Sequence, residues 1–163
     1  MGGIKKRRKR FRRPKKPFDK ERIEEENELI KRYGLKNKRE IWKADSKISK
    51  IRSRAKNLIP ESDEKKQEFF KKLRKMGFKA EAIADVLGLK IDDWLNRRLQ
   101  TFVLRKKLAN NIRQARQLIV HKHVLVDEKI VNIPSFFIST YLENKIGLKE
   151  GRQIKEKENG NQG

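Results

Sequence analysis

Residues 95–135 read LNRRLQTFVLRKKLANNIRQARQLIVHKHVLVDEKIVNIPS, and this stretch decides the fold of the second half of the chain. No acidic residue stands between Asp93 and Asp127, whereas eight basic side chains do. Apolar residues recur in the same stretch at spacings that predict a core. A segment that combines a core pattern with charge of one sign is typical of a module that binds a polyanion.

Two helices are predicted at the start of this stretch. Apolar residues at i, i+4, i+7 and i+8 predict the first, with Leu95, Leu99, Phe102 and Val103 on one face. We expect Asp92 to cap this helix and Asn110 to cap the second, because their side chains can accept from free N–H groups. The apolar stripe of the second helix consists of Ile112, Ala115, Leu118 and Ile119. Arg113 and Arg116 are three residues apart and are expected on one flank of it.

The spacing of the apolar residues changes from a helical to a strand pattern after the second helix. The β-branched runs at residues 124–126 and 130–133 flank Asp127-Glu128-Lys129, which predicts a hairpin. Pro134 limits the second strand because it lacks a ladder donor. Residues 141–148 are expected to return to the helical part or to close a small sheet. The predicted fold is α+β and mostly helical, with a helical domain followed by a helix–helix–hairpin module.

The first half of the chain predicts several helices. One covers residues 19–33 and ends at Gly34, and Asn37 with Glu40 resembles a capping box before a longer helix. The longer helix has an apolar seam formed by Ile41, Ala44, Ile48, Ile51, Ala55 and Leu58. Ser62 is expected to cap a third helix that ends near Gly77, and residues 80–87 predict a short helix closed by Gly88.

A second seam on the long helix is basic. It consists of Lys43, Lys47, Lys50 and Arg54, about a quarter turn from the apolar seam. The seam could contact phosphates, or it could be an ordinary solvated helix face, and the sequence favours neither. Phe69 and Phe70 could stack on bases, but their helical spacing with Leu73 favours core packing. The same reasoning places Trp42 and Trp94 in the core.

Charge is distributed unevenly along the chain. The formal net charge is +23, with +10 in residues 1–16, +5 in residues 17–60, zero in residues 61–94 and +8 in residues 95–163. Residues 1–16 cannot bury enough apolar surface to fold and predict a disordered basic arm that can order on phosphates or act as a nuclear-import signal. We expect four segments: the arm at 1–16, a helical domain at 17–94, the module at 95–148 and a polar tail at 149–163.

Composition excludes several functional classes. The chain contains no cysteine, so disulfides and thiol nucleophiles are excluded. The mean hydropathy is −0.96, and no apolar run approaches the roughly 20 residues that a membrane span needs. The basic start is not followed by the apolar region of a secretory signal. His121 and His123 lack an evident third metal ligand, and no phosphate-binding glycine loop is present. We therefore expect no cofactor, no metal and no enzymatic activity.

The elements of residues 98–135 resemble a known family. They are Arg98-Leu99, Leu108-Ala109, Gln114-Ala115-Arg116-Gln117-Leu118-Ile119, His123-Val124-Leu125-Val126 and Val131-Asn132-Ile133-Pro134-Ser135. This ordered pattern is similar to the S-four RNA-binding module, named after the fourth protein of the small ribosomal subunit. Many members have Gly where Lys122 and Glu128 stand here, and Gly normally supplies positive φ at such turns.

The resemblance extends into the first half. PFDKERIEEENELIKRYGLKNKREIWKA at residues 17–44 looks like the N-terminal extension of the archaeal-type ribosomal protein. The likeness implies a protein of cytoplasmic ribosomes that binds the 5′ domain of small-subunit rRNA and helps nucleate subunit assembly. It also implies a place near the channel through which messenger RNA enters, beside the fifth small-subunit protein (S-five). Neither a membrane partner nor a homo-oligomer is implied.

The expected mechanism is binding rather than turnover, in which Arg and Lys neutralise phosphates and RNA shape sets the register. The predicted RNA-binding residues of the module are Arg97, Arg98, Arg105, Lys106, Lys107, Arg113, Arg116, Lys122 and His123, of which Arg98 and Arg116 rest partly on the family match. The others are Lys43, Lys47, Lys50 and Arg54 on the long helix and Arg7, Arg8 and Arg10 in the arm. Two alternatives stay open: an RNA-modifying enzyme and a ribosome-associated heat-shock protein that carry the same module.

Overall fold

The structure, a computed structural model, describes residue 11 and residues 13–149, and these form two compact units that meet between Arg97 and Arg98 in sequence. The first unit is helical, and the second adds a small sheet to two helices. The predicted α+β class is therefore confirmed. Most of the predicted arm, and the predicted tail after Lys149, lie outside the described residues. In the part of the chain that is described, no helix is both long and apolar enough to cross a membrane.

The first unit contains five of the described helices. They are α1 (Lys20–Tyr33), α2 (Lys38–Asn57), α3 (Asp63–Lys75), α4 (Ile83–Gly88) and α5 (Ile91–Asn96). The predicted apolar seam of α2 is buried at Ile41, Ala44, Ile48 and Ala55. Around Ile41 and Ala44 a cluster forms from Tyr33, Leu35 and Leu95, with Trp42 and Trp94 packed against it. The expectation that both tryptophans serve the core is confirmed.

The second unit contains the predicted helix–helix–hairpin module. Its elements are α6 (Leu99–Arg105), α7 (Ile112–Val120), β1 (Val124–Val126), β2 (Lys129–Ile130), a 3₁₀ helix (Thr140–Lys145) and β3 (Ile146–Leu148). The strands form an antiparallel sheet of order β2-β1-β3, with Leu125 opposite both Ile130 and Gly147. Residues 146–148 thus close the sheet, which is one of the two expected outcomes.

The module has its own core. Alternation along β1 turns Val124 and Val126 inward, where they are 0% and 4% exposed. The two helices contribute apolar residues of their predicted stripes to this core. Leu142 of the 3₁₀ helix packs against it. The buried residues are Leu99, Phe102, Val103, Ala109, Ala115, Ile119, Val124, Val126, Ile138 and Ile146. Burial of these apolar side chains stabilises the module.

One predicted helix is in fact two. The sequence pattern joined Leu95 to Leu99 on one helix face, but α5 ends at Asn96 and α6 begins at Leu99. Arg98 has extended backbone angles (φ −83°, ψ 145°) and pairs with Phe137 as an isolated β-bridge. The Leu99 N–H donates to the Phe136 carbonyl at 2.8 Å, so the backbone there bonds outside any helix.

The second strand is shorter than its β-branched run. β2 ends at Ile130, and only the Val131 N–H still bonds to β1, through the Val124 carbonyl at 3.1 Å. Beyond it, the Pro134 carbonyl accepts from the Gln100 N–H at 3.3 Å. The chain therefore leaves the sheet before Ile133 because its backbone groups bond to the start of α6.

Two of the predicted caps of the module are wrong by a few residues. Asp92 lies inside α5, where its Oδ1 accepts from the Tyr33 hydroxyl at 2.9 Å instead of capping a helix. Asn111, not Asn110, caps α7 by accepting from the Gln114 N–H at 2.8 Å. The Gln114 side chain accepts in return from the Asn110 N–H at 2.8 Å, so both asparagines take part in one reciprocal arrangement.

Caps of the first unit also differ from the sequence pattern. The Asn37 side chain makes no cap hydrogen bond, and Glu40 accepts from the Lys36 N–H at 3.0 Å rather than from Asn37. Ser62 occupies the predicted N-cap position of α3 without a side-chain cap bond. The short helix predicted at residues 80–87 begins only at Ile83, after an extended residue at the N-cap, and includes Gly88.

Several helices end on a residue with left-handed backbone angles. In the first unit these residues are Gly34 (φ 56°) after α1 and Gly77 (φ 87°) near the end of α3. In the module they are Lys107 (φ 56°) after α6 and Lys122 (φ 62°) after α7. At each of these ends the next N–H bonds to a carbonyl five residues earlier, as in His123 to Leu118 at 3.0 Å. The module thus uses lysine where the first unit uses glycine.

Candidate nucleic-acid interface

Four exposed cations of the module lie on α6, α7 and the turns that end these helices. Arg105 stands in the last turn of α6, and Lys107 follows in the turn after that helix. Arg113 stands in the first turn of α7, and Lys122 in the turn after it. All four are exposed, whereas Lys106, Arg116 and His123 are half-buried. Because folded helices and turns set these positions, the cations are held on a rigid scaffold.

Arg105 is oriented by an aromatic ring. Its guanidinium carbon lies 5.1 Å from the centroid of the Phe102 ring, which belongs to the module core. A cation over a ring face is attracted by the ring quadrupole, while the guanidinium N–H groups at its edge stay available to acceptors. This arrangement suits an arginine that binds phosphate from a fixed position.

Arg116 is held from within the module. Its Nη1 donates to the Gln100 Oε1 at 3.4 Å, and the Gln100 Nε2 donates to the Ile112 carbonyl at 2.9 Å. Gln100 is 1% exposed, so it is a buried polar link between α6 and α7. The sequence analysis missed Gln100, and the only signal for it is a polar residue beside the apolar position of Leu99. Arg113 and Arg116 therefore have different surroundings despite their spacing.

Lys107 and Lys122 have an unfavourable backbone conformation. A non-glycine residue in the left-handed region costs roughly 1–2 kcal/mol because its Cβ approaches the following carbonyl. Such conformations persist where the surrounding structure imposes them, and they occur often at functional sites. Both lysines are exposed at helix C-termini, where the helix dipole also favours a positive charge. Both cations thus lie at the C-terminus of a helix of the module.

One flank of α7 carries two open cavities. A cavity of about 430 Å³ is lined by Gln114, Gln117, Leu118, His121 and His123. A second, of about 440 Å³, is lined by Asn111, Ile112, Arg113, Gln114 and Gln117. The rings of His121 and His123 are nearly parallel, with centroids 6.4 Å apart. Amide and imidazole groups beside Arg113 give this flank donors and acceptors for a polar ligand.

The acidic residues of the hairpin turn are partly neutralised. The Lys145 Nζ donates to the Asp127 Oδ1 at 2.7 Å and also bonds to the Tyr141 hydroxyl. The hydrogen bond to Asp127, followed by the one to Tyr141, raises the pKa of Lys145. No group of three His, Asp or Glu side chains suited to a metal ion occurs in the described part of the chain.

Arg97 and Arg98 are not on this surface. They are 9% and 4% exposed, respectively. The Arg97 guanidinium occupies the position that a Cβ on Gly77 would take, so Gly77 is required both for its positive φ and for this close approach. Arg98 begins α6 as its N-cap residue and pairs with Phe137. Because both of these predicted RNA-binding side chains are buried, little of their surface is available for phosphate contact.

The basic seam of α2 is exposed. Lys43, Lys47, Lys50 and Arg54 are all exposed, about a quarter turn around the helix from its buried seam. The Arg54 guanidinium carbon lies 5.5 Å from the centroid of the Phe69 ring, and Phe69 is buried with Leu73, so the core role of Phe69 is confirmed. Phe70 is half-buried. The predicted arm residues Arg7, Arg8 and Arg10 lie outside the described residues.

The arrangement of the second unit and a family match define the class of protein. A helix–helix–hairpin unit with exposed cations on its helices is the arrangement that the sequence pattern predicted, and residues 97–140 match the family model described as "S4 domain". The match covers α6, α7 and the hairpin, and it ends at the first residue of the 3₁₀ helix.

Curated relatives identify the family. The chain is 37% identical to "Small ribosomal subunit protein uS4" of Thermoplasma acidophilum, over 94% of this chain and 82% of the relative. It is 42% identical to the protein of that name from Haloarcula marismortui, over 84% and 83% of the two chains. With the relative from Methanothermobacter thermautotrophicus the identity is 35%, over 95% and 94%. The chain belongs to the family of small ribosomal subunit protein uS4.

Proposed function

We propose that this chain is a structural constituent of the small ribosomal subunit in cytoplasmic ribosomes and that it binds small-subunit rRNA directly. The observation that carries the proposal is the set of exposed cations on α6, α7 and their terminal turns, above all the left-handed Lys107 and Lys122. Membership of the uS4 family supports it, since the relatives are named as small-subunit proteins.

The proposed mechanism uses two basic surfaces of the described chain. On the module, Arg105, Lys107, Arg113 and Lys122 neutralise phosphates, and Lys106, Arg116 and His123 adjoin them. In the first unit, the seam from Lys43 to Arg54 offers further phosphate contacts, and the arm residues Arg7, Arg8 and Arg10 add to them. Double-stranded RNA hides its bases in a deep, narrow groove, so recognition through backbone shape and 2′-OH groups is expected. Arg97 and Arg98, which are 9% and 4% exposed, remain part of the proposed set and would contribute less contact area than the exposed cations.

More specific parts of the proposal concern location and partners. We propose that the RNA target is the 5′ domain, that binding helps nucleate subunit assembly, and that the protein lies near the channel through which messenger RNA enters. Its neighbour there would be S-five, and the chain would neither form a homo-oligomer nor act as an enzyme. The segments 1–16, 17–94, 95–148 and 149–163 are proposed as arm, helical domain, module and tail. An RNA-modifying enzyme would need a catalytic domain, and alignment over 94% of the chain with uS4 leaves little sequence for one.

Competition binding tests this function. The full chain is titrated into a labelled fragment of the 5′ domain of small-subunit rRNA, and unlabelled competitors are then added. The proposal expects the same fragment to compete about a hundredfold or more better than an RNA duplex of unrelated sequence, since specific complexes exceed generic ones by large factors. Equal competition by the unrelated duplex would reduce the function to generic polyanion binding.

A further inference from the structure

Glu26 is a buried carboxylate at the centre of a polar network in the helical unit. It is 5% exposed, and its Oε1 accepts from the Arg22 Nη1 at 2.6 Å and from the Trp42 Nε1 at 2.8 Å. The Lys38 Nζ lies 3.1 Å from the Oε2. Burial by itself raises the pKa of Glu26, but the hydrogen bonds from Trp42, Lys38 and Arg22 outweigh it and hold the pKa below its ordinary value. Glu26 is therefore ionised at neutral pH, with its Oε1 bonded to Arg22 and Trp42 and its Oε2 beside the Lys38 ammonium.

Two partners of Glu26 also hold the chain that precedes α1. The Arg22 Nη2 donates to the carbonyl oxygens of Lys16 and Pro17, each at 3.0 Å. The Trp42 ring packs against Phe11, with ring centroids 5.9 Å apart and an angle of 36° between the planes. One carboxylate thus bonds to both Arg22 and Trp42, which contact Lys16, Pro17 and Phe11. We call residues 11 and 13–17 the arm root.

We propose that Glu26 is a positioning residue that fixes the arm root and thereby sets the contribution of the basic arm to RNA binding. The proposal rests on the proposed rRNA-binding function and deepens it. Residues 1–10 contain six basic and no acidic side chains, and they continue directly from the arm root. A tethered charged segment binds best when its point of attachment is fixed close to its target, because a fixed root raises the effective concentration of its cations there.

The sign of the expected effect separates this role from simple electrostatics. Glu26→Gln removes one negative charge, and by net charge alone it should strengthen binding to a polyanion. The positioning role predicts the opposite, because a neutral amide cannot hold Arg22 as an ion pair. The matched control is Glu28→Gln, which makes the same charge change at an exposed position of the same helix.

A double-mutant cycle with the full chain tests the proposal. Binding of the 5′-domain rRNA fragment is measured for the wild type, Glu26→Gln, the arm variant Arg7→Gln/Arg8→Gln/Arg10→Gln, and the combination. We expect Glu26→Gln to weaken binding about threefold to tenfold in the wild-type background and less than twofold in the arm variant, since coupled sites are not additive. Glu28→Gln should bind as tightly as the wild type or more tightly.

A second variant covers the case in which Glu26→Gln does not fold. Arg22→Lys keeps the charge but loses the planar fork that reaches Glu26 and two carbonyls at once, so it should weaken binding in the same arm-dependent way. Binding by folded Glu26→Gln or Arg22→Lys equal to that of Glu28→Gln, or weakened equally in both arm backgrounds, would overturn the positioning role. In those cases the wild type still binds the fragment, whereas failure of the proposed function would abolish wild-type binding itself.

Discussion

At the scale of single residues, Arg113 and Arg116 show how one spacing can lead to two roles. The sequence treated them as a pair on one flank of α7. Arg113 is exposed beside an open cavity, whereas Arg116 is half-buried and bonded to the buried Gln100. Exposure favours ligand contact for Arg113, and the bond to Gln100 favours a structural contribution from Arg116.

Alanine substitutions should separate these roles. Arg113→Ala should weaken rRNA binding about tenfold, since a hydrogen bond to a charged group contributes about 1.5 kcal/mol or more. Its unfolding free energy should change by less than about 0.5 kcal/mol, as for other exposed substitutions. Arg116→Ala should cost about 1 kcal/mol of stability through loss of the Gln100 bond. Binding titrations and thermal melts on both variants measure this, and an early-melting Arg113→Ala with unchanged affinity would contradict the assignment.

Glu26 makes a prediction about acid stability. Its pKa is held below the ordinary value of 4.5 in the folded chain, so its stabilisation is present above about pH 4.5 and is lost as pH falls through the folded pKa. The unfolding free energy of the wild type should therefore fall more steeply with acidification below about pH 4.5 than that of Glu26→Gln. Urea unfolding at a series of pH values measures both slopes, with Glu28→Gln as control. Equal slopes for all three proteins would exclude a lowered pKa at Glu26.

At the scale of elements, the helix ends of the two units differ in one residue type. The turns after α1 and α3 use Gly34 and Gly77 in the left-handed region, whereas those after α6 and α7 use Lys107 and Lys122. The hairpin turn also has non-glycine residues at positive φ. Asp127 (φ 52°) and Glu128 (φ 64°) both adopt the positive φ of a two-residue type I′ turn. The module thus tolerates several non-glycine residues where glycine would be less strained.

Replacing the helix-end lysines with glycine should change stability and binding in opposite directions. Lys107→Gly and Lys122→Gly should each stabilise the fold by up to about 1 kcal/mol, because a Cβ clash in the left-handed region is removed. Each should weaken rRNA binding severalfold, because a cation that neutralises phosphate is lost. Glu128→Gly is the control, since it should stabilise the hairpin without weakening binding. Unchanged affinity of both lysine variants would remove these residues from the interface.

Periodicity predicted the elements that bury a continuous stripe. The seam of α2, the stripe of α7 and the hairpin around Asp127 follow from spacings of 3.6 and 2 residues, and the structure confirms them. The break at Arg97–Arg98 could not be found this way, because Leu95 and Leu99 keep helical spacing across it. It depends on the pairing of Arg98 with Phe137, a contact between residues far apart in sequence.

The exposure of several candidate site residues was predictable from their charge. Charged residues on helices and turns are usually exposed, and this holds for Lys43, Arg105, Arg113 and Lys122. The burial of Arg97 against Gly77 was not predictable, because it depends on a missing side chain elsewhere in the fold. The backbone strain at Lys122 appears in the sequence only as a departure from the glycine that many family members carry there, and the strain at Lys107 was not predicted.

At the scale of the whole molecule, charge is the dominant property. A net charge of +23 on 163 residues opposes compaction and attracts any polyanion. Residues 95–163, the module and the tail together, contribute +8, while residues 61–94 are neutral overall and include the buried side chains of Phe69, Leu73 and Val86. The apolar cores of both units stabilise a chain whose surface is otherwise self-repelling.

The dependence of rRNA affinity on salt tests the central claim most directly. Each phosphate neutralised by Arg or Lys releases counterions, so a plot of log K against log salt concentration should fall with a slope of about −0.7 to −0.9 per contact. We predict a steep, linear decrease for the wild type with the 5′-domain fragment. Arg113→Ala should reduce the slope by about one such contact, and Glu28→Gln should not reduce it. An affinity that barely changes between low and moderate salt would contradict the account.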